Sequence, residues 1–195
     1  MSDEPTGIPQ RYSSRVDLAL CFAAEKHASG LRKGTSTPYI VHPVHVAWLL
    51  AAYGLNEDTV IAGLLHDVLE DTECTAAEIE ARFGAAVSAV VLSCSELDKG
   101  RPWEERKRDM VTRMRSMTPA ARAVECADKA HNLHTMADAL EGGEAKLWER
   151  FKRGPEAQVA YHRAALAALA DGFDHPILHE LRGALARVER LLPSV

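Results

Sequence analysis

No stretch of this chain is apolar for long enough to cross a bilayer, and Met1 to Gln10 carries two prolines and no apolar signal core. Those absences argue against membrane anchoring and export, so a cytoplasmic protein with no membrane partner is the expectation. The four cysteines, Cys21, Cys74, Cys94 and Cys126, are scattered with no Cys-x-x-Cys pair, which removes the usual signature of structural zinc or thiol redox chemistry. An excess of positive charge is missing as well. The formal net charge is -5, whereas wrapping a nucleic-acid duplex depends on neutralising many phosphates. Nucleic acid is therefore not an expected partner, although a local basic pocket for a small anion is compatible with the total. There is no internal repeat and no low-complexity tract. What remains is 195 residues, 47% hydrophobic and 26% charged, an ordinary balance for one well-buried soluble domain. We expect residues 1–11 to form a flexible tail and residues 12–195 a single domain.

The most informative stretch is Ala62-Gly63-Leu64-Leu65-His66-Asp67-Val68-Leu69-Glu70-Asp71-Thr72. Asn56 suits an N-cap and Glu57 and Asp58 suit a first turn, so the pattern predicts one helix running through it. On such a helix His66, Asp67, Glu70 and Asp71 share a face at spacings of three and four. Ile61, Leu64, Leu65, Val68 and Leu69 cover the rest of the cylinder and bury it. Carboxylates grouped with an imidazole inside a cavity are costly unless a cation offsets them. A divalent metal does so, but an adjacent His-Asp pair needs further donors from other elements. The best are Asp128 and a histidine from the segment holding His42 and His45, between which spacing alone does not choose. Asn132, four residues beyond Asp128, shares its helix face.

An upstream histidine, an adjacent His-Asp pair and a distal aspartate resemble the HD superfamily of metal-dependent phosphohydrolases. Five segments in order narrow the likeness: Arg32-Lys33-Gly34, Pro38-Tyr39-Ile40-Val41-His42-Pro43, Leu64 to Thr72, Phe83-Gly84, and Ala127-Asp128-Lys129 through Asn132-Leu133. Together they are similar to the hydrolase domain of the RelA/SpoT group, above all to the stand-alone small alarmone hydrolases, over roughly residues 12 to 165. The resemblance implies an all-α bundle of roughly eight to ten helices. It selects His42 over His45, giving His42, His66, Asp67 and Asp128 as metal ligands. It turns Arg32 and Lys33 toward a nucleotide, and it sets Lys99, Arg106 and Lys107 where family members place cations that approach phosphates. Arg150 and Tyr161, with Trp148 and Lys152, resemble positions that close over the nucleotide. The loop Ser93-Cys94-Ser95-Glu96 departs from the threonine-containing segment of the bifunctional enzymes.

The rest of the chain reads as helices. Ser13 or Ser14 caps one that runs to about Ala28 with Val16, Leu20, Ala23 and His27 inward. Pro43 suits the first turn of the next, which holds His42 at its start. Thr75 to Glu78 form a capping box opening a short helix that ends near Phe83-Gly84. Ala85 to Leu92 follow as helix, then Trp103 to Met114. Thr118-Pro119 is a cap and first-turn pair for a long helix to about Leu140, stopped by Gly142-Gly143. Beyond Lys146 to Lys152 and a Gly154-Pro155 break, Glu156 to Ala170 and Asp174 to Leu192 are two more helices.

Phosphoester hydrolysis needs an activated water, stabilisation of phosphoryl charge and protonation of the leaving group. A cation held by two imidazoles and two carboxylates supplies the first two. Such mixed ligands accept manganese, iron or zinc, and the resemblance favours Mn²⁺. Glu70 and Asp71, one turn beyond the pair, are placed to orient or deprotonate the water. The implied reaction is removal of the 3′-pyrophosphate of guanosine tetra- or pentaphosphate, without alarmone synthesis, since a synthetase domain does not fit in this length. The alternatives left open are an HD phosphatase for another nucleotide (the 2′-phosphate of NADPH, or a nucleoside monophosphate) and a non-catalytic nucleotide sensor. The sequence assigns no oligomeric state.

Overall fold

A computed structural model describes residues 12–96, 98–144, 147–151 and 153–192. The expected tail, residues 1–11, lies outside the described residues. So does Lys152.

Ten α-helices and one 3-10 turn make up the described fold, with a lone β-bridge between Leu31 and Pro38 as the only extended pairing among those residues. In chain order they are α1 (Ser14–Lys26), α2 (Val41–Ala52), α3 (Glu57–Leu65), α4 (Val68–Asp71), α5 (Ala76–Phe83) and α6 (Ala85–Cys94). Then come α7 (Trp103–Met114), α8 (Pro119–Glu141), the 3-10 turn Leu147–Arg150, α9 (Pro155–Ala170) and α10 (Ile177–Leu191). This is the all-α bundle the sequence predicts.

The N-caps form as local chemistry dictates: Ser13, Asn56, Thr75 and Thr118 each accept from a backbone N–H three residues on. Only half of the predicted capping box is made, because the Glu78 carboxylate turns to Lys26 at 3.1 Å. The long helix α8 is the axis of the fold. Ala121, Ala123, Ala127, Ala130 and Ala137 are all buried on it, and their small side chains let α2, α3, α6, α9 and α10 close around it. Fully buried Leu50, Ile61, Leu65 and Leu133 fill the centre, each contributing roughly 2 kcal/mol.

Three expectations are corrected. The apolar stripe of α1 is rotated: Ala19, Phe22 and Ala23 face inward, while Leu20 is exposed and Val16 only half-buried. The last helix starts at Ile177, after Pro176, so Asp174 precedes it. Most consequential, the central helix is not continuous. It ends at Leu65, His66 and Asp67 form a turn, and α4 restarts at Val68. The apolar rhythm runs straight through this break, which is why the sequence does not announce it.

Candidate metal centre and active site

Three separate elements bring the His-Asp side chains together. His42 sits in the first turn of α2, His66 and Asp67 in the turn between α3 and α4, and Asp128 midway along α8. The α2–α3 crossing is tight because Gly63 lies there. A Cβ at that position would overlap the Leu50 side chain and meet Val46 Cγ1 at 3.4 Å.

The imidazole nitrogens converge on the carboxylates. His42 Nε2 lies 3.1 Å from Asp128 Oδ1 and 3.5 Å from Asp67 Oδ2; His66 Nε2 lies 3.1 Å from Asp67 Oδ2 and 3.8 Å from Asp128 Oδ1. One donor atom each from His42, His66 and Asp128 fall within 4.8 Å of one another. His66 Nδ1 is 2.8 Å from the Gly63 carbonyl, which only accepts, so Nδ1 carries a proton and Nε2 is the nitrogen left to face a cation. That Nε2 is buried and makes no hydrogen bond. An orphaned imidazole lone pair facing two carboxylates, beside a second imidazole, is a donor set that fits a divalent cation.

Neighbours fix these groups. Tyr39 donates to Asp67 Oδ2 at 2.7 Å, and the His131 Nδ1 meets His42 Nδ1 at 2.7 Å. Burial, followed by the charge of His42, pushes the His131 imidazole down to about 3, so it is neutral and can accept the His42 proton. Asn132 donates to Asp128 Oδ1 and accepts from Arg32, both at 2.6 Å. Lys129 reaches Asp128 Oδ2 at 2.6 Å and Glu125 at 2.9 Å. Burial alone would raise Asp128, but the Lys129 ammonium and the imidazoles hold it well below the ordinary carboxylate range. Burial shifts Glu70 the other way, upward.

A cavity of about 670 Å³ opens over this cluster. Of the residues singled out from the sequence, Arg32, Lys33, Glu70, Asp71, Arg106, Lys107, Asn132, Arg150 and Tyr161 line it beside His42, His66, Asp67 and Asp128. Lys99 does not. Its ammonium, on a half-exposed side chain, is 2.5 Å from Asp71 and 3.4 Å from Glu70. Arg106 and Lys107 are each 2.5 Å from a Glu96 oxygen. Arg150 crosses Gly34, where φ is +71° and a Cβ would stand 2.5 Å from the Arg150 Cγ. Trp148 packs on the core instead of lining the cavity. Sequence reasoning missed Tyr39, Glu96 and Lys129 as parts of the site. Only the Glu125–Lys129 spacing of four left a readable trace.

A helical scaffold that gathers two imidazoles and two carboxylates under a nucleotide-sized cavity defines a class, the helical metal-dependent hydrolases. Comparison with known families makes this specific: the HD domain model matches residues 19–151, and the chain belongs to the HD-domain family. Among curated relatives, the mouse guanosine-3′,5′-bis(diphosphate) 3′-pyrophosphohydrolase MESH1 is 42% identical over 136 residues, covering 67% of this chain and 75% of the mouse protein. The Aquifex aeolicus guanosine-3′,5′-bis(diphosphate) 3′-pyrophosphohydrolase is 44% identical over 89 residues, 46% of this chain and 13% of that much longer protein. Among solved structures, a metazoan ortholog of SpoT that hydrolyses ppGpp superposes with a TM-score of 0.77 at 26% identity, covering 94% of this chain and 99% of the other. The Listeria monocytogenes protein lmo0812 gives 0.68 at 35% identity, covering 77% and 95%.

Proposed function

We propose that this pocket hydrolyses the 3′-pyrophosphate of guanosine tetra- and pentaphosphate, releasing pyrophosphate and GDP or GTP, with Mn²⁺ as the resident cation. The observation that carries the reading is that His42, His66 and Asp128, from three elements, offer donor atoms within 4.8 Å of one another, with Asp67 Oδ2 3.1 Å from His66 Nε2, in a cavity that Glu70 also lines. Its similarity to the guanosine polyphosphate hydrolases supports the choice of substrate.

When bound to the His-Asp set, the cation lowers the pKa of water and draws charge from a phosphoryl oxygen. Every other task falls to the chain. His66 and His42 present Nε2 because Gly63 and His131 hold their Nδ1 protons. Tyr39 and Asn132 leave Asp67 and Asp128 little freedom to turn. Glu70, raised by burial, is a stronger base than a solvated glutamate and takes the proton of the attacking water. Its Oε2 accepts the Glu96 backbone N–H at 3.1 Å, which aims the carboxylate. Asp71, paired with Lys99, receives the proton from Glu70 and passes it on to the departing 3′-oxygen, which leaves as the ribose hydroxyl of GDP or GTP. Arg32, its guanidinium carbon 5.6 Å from the centre of the Tyr39 ring and donating to the Asn132 amide oxygen, offers a planar, hydrogen-bonding group for the base.

The test is a Mn²⁺-dependent screen of pyrophosphate or phosphate release across guanine alarmones, NADPH and nucleoside monophosphates. Turnover of the alarmones in preference to the others is expected. Inert alarmones beside an active NADPH or monophosphate reaction would replace the substrate assignment with the phosphatase one. Glu70→Gln should lose about two to four orders of magnitude in kcat with metal content unchanged. If that variant lost the metal too, Glu70 would be a ligand.

A further inference from the structure

Arg106 and Lys107 point into the cavity, yet their charges are already matched. Glu96, whose side chain is 8% exposed, sets Oε2 2.5 Å from the Arg106 guanidinium and Oε1 2.5 Å from the Lys107 ammonium. Two cations bracketing the two oxygens of one anion is the arrangement a phosphate group would otherwise complete. The backbone beneath that carboxylate is held in place, since the Glu96 N–H donates to Glu70 and the carbonyl of Ser95, just before it, accepts from Arg113 at 3.0 Å.

The cavity lining beside the pair includes the neutral hydrogen-bonding groups of Trp103, Tyr161 and His162. Lys107 also lies over the Tyr161 ring, 4.8 Å from its centre, and Trp103 meets that ring edge-on at 6.1 Å. Tyr161 Oη, His162 Nδ1 and Arg106 Nε are buried without a hydrogen-bond partner among the described residues. Lys129, the next ammonium along, 6.0 Å from the Tyr161 centroid, is consumed by Glu125 and Asp128. On the reading that the cleaved 3′-diphosphate sits at the His-Asp cluster and the base at Arg32, the remaining end of the nucleotide faces this corner.

We propose that Glu96 is a specificity-determining residue, a resident carboxylate that fills the phosphate position on Arg106 and Lys107 and so selects nucleotides with the shorter 5′ end. A 5′-triphosphate arriving there must either displace Glu96 from both cations or lie beside its negative charge. A 5′-monophosphate meets neither obstacle. This deepens the proposed reaction and rests on it.

Two measurements test it. The first is kcat/KM for guanosine 3′-diphosphates carrying a 5′-mono-, di- or triphosphate, with the wild type and Glu96→Gln. The wild type should fall along that series, and Glu96→Gln should gain most on the triphosphate, by about tenfold or more, the size of one charge-assisted contact. A wild type that prefers the triphosphate overturns the proposal without any variant. So does a Glu96→Gln that shifts all three substrates by one factor. The second measurement is calorimetric binding of inorganic tripolyphosphate to the Mn²⁺-loaded wild type, Glu96→Gln and Glu96→Ala. Tighter binding by either variant supports the blocked site, and equal or weaker binding by both overturns it. Because tripolyphosphate is not a nucleotide, this result stands even if the alarmones prove not to be the substrate, which the three-member series alone would reveal as absent turnover.

Discussion

The two ends of the cavity handle a cation in opposite ways. At one end Arg32 is held by the neutral Asn132 amide, and no carboxylate among the described residues lies within ion-pair distance of it. At the other, Arg106 and Lys107 are held by Glu96. A neutral partner orients a guanidinium and leaves its charge for a ligand, whereas a carboxylate partner orients it and cancels the charge. Counting basic residues along the lining therefore overstates how much anion the cavity attracts.

The largest expected effect lies between the two ends, at the donor cluster they share. His66→Ala or Asp128→Ala should abolish metal uptake, read by elemental analysis, and lower kcat by at least about a thousandfold. A variant that kept both would show that the cluster is not where the chemistry happens.

Next comes the contrast between the ends themselves. Arg32→Ala should raise KM about tenfold or more, since a ligand contact is lost. Arg106→Ala should raise it less, and its main symptom should be a lower melting temperature, because it strips Glu96 of a partner. Equal KM effects would erase the distinction.

The pH dependence of stability sharpens it further. Burial alone would raise the Glu96 carboxyl, but Lys107 and Arg106 outweigh burial and bring its folded-state value below normal. A depressed carboxyl contributes stability that is fully present above its unfolded value of about 4.3 and fades as pH falls through the lower folded value. Thermal unfolding should thus separate wild type from Glu96→Gln at neutral pH, with the gap closing as the solution is acidified below that range. A gap that held constant would mean the ion pairs contribute nothing.

The smallest effect belongs to Lys99→Ala. Its pairs with Asp71 and Glu70 are half-exposed, so under about 1 kcal/mol of stability is at stake. A larger loss would place Lys99 inside the working cavity after all.

Much of this was legible in the residues. Caps at Ser13, Asn56, Thr75 and Thr118 are local events, written within four positions of chain, and they form where they are read. The expected donors His42, His66 and Asp128, which the fold gathers within 4.8 Å, were open to reading because ionisable groups inside apolar helices demand a partner, and the family likeness chose among the histidines. The break at His66–Asp67 was not readable, since hydrophobic rhythm reports burial and stays the same whether a helix continues or turns. Nor was the role of Glu96. It depends on a loop folding back so that residues ten and eleven positions onward meet one carboxylate, a distance at which neither helical nor strand periodicity carries information. Lys99 shows the same limit: the segment suggested a cation near phosphates, and in the fold its ammonium lies against Asp71 and Glu70, outside the cavity lining.

Gly63 has a reach beyond its own packing. His42 stands in the first turn of α2 and His66 directly follows the end of α3, so both rings are carried by a crossing at which the chain omits a methyl group. Restoring that methyl would press on Leu50 Cδ1, the tip of a fully buried side chain that must move aside to admit it, so the packing that carries both histidines would be altered through a contact that no ligand touches.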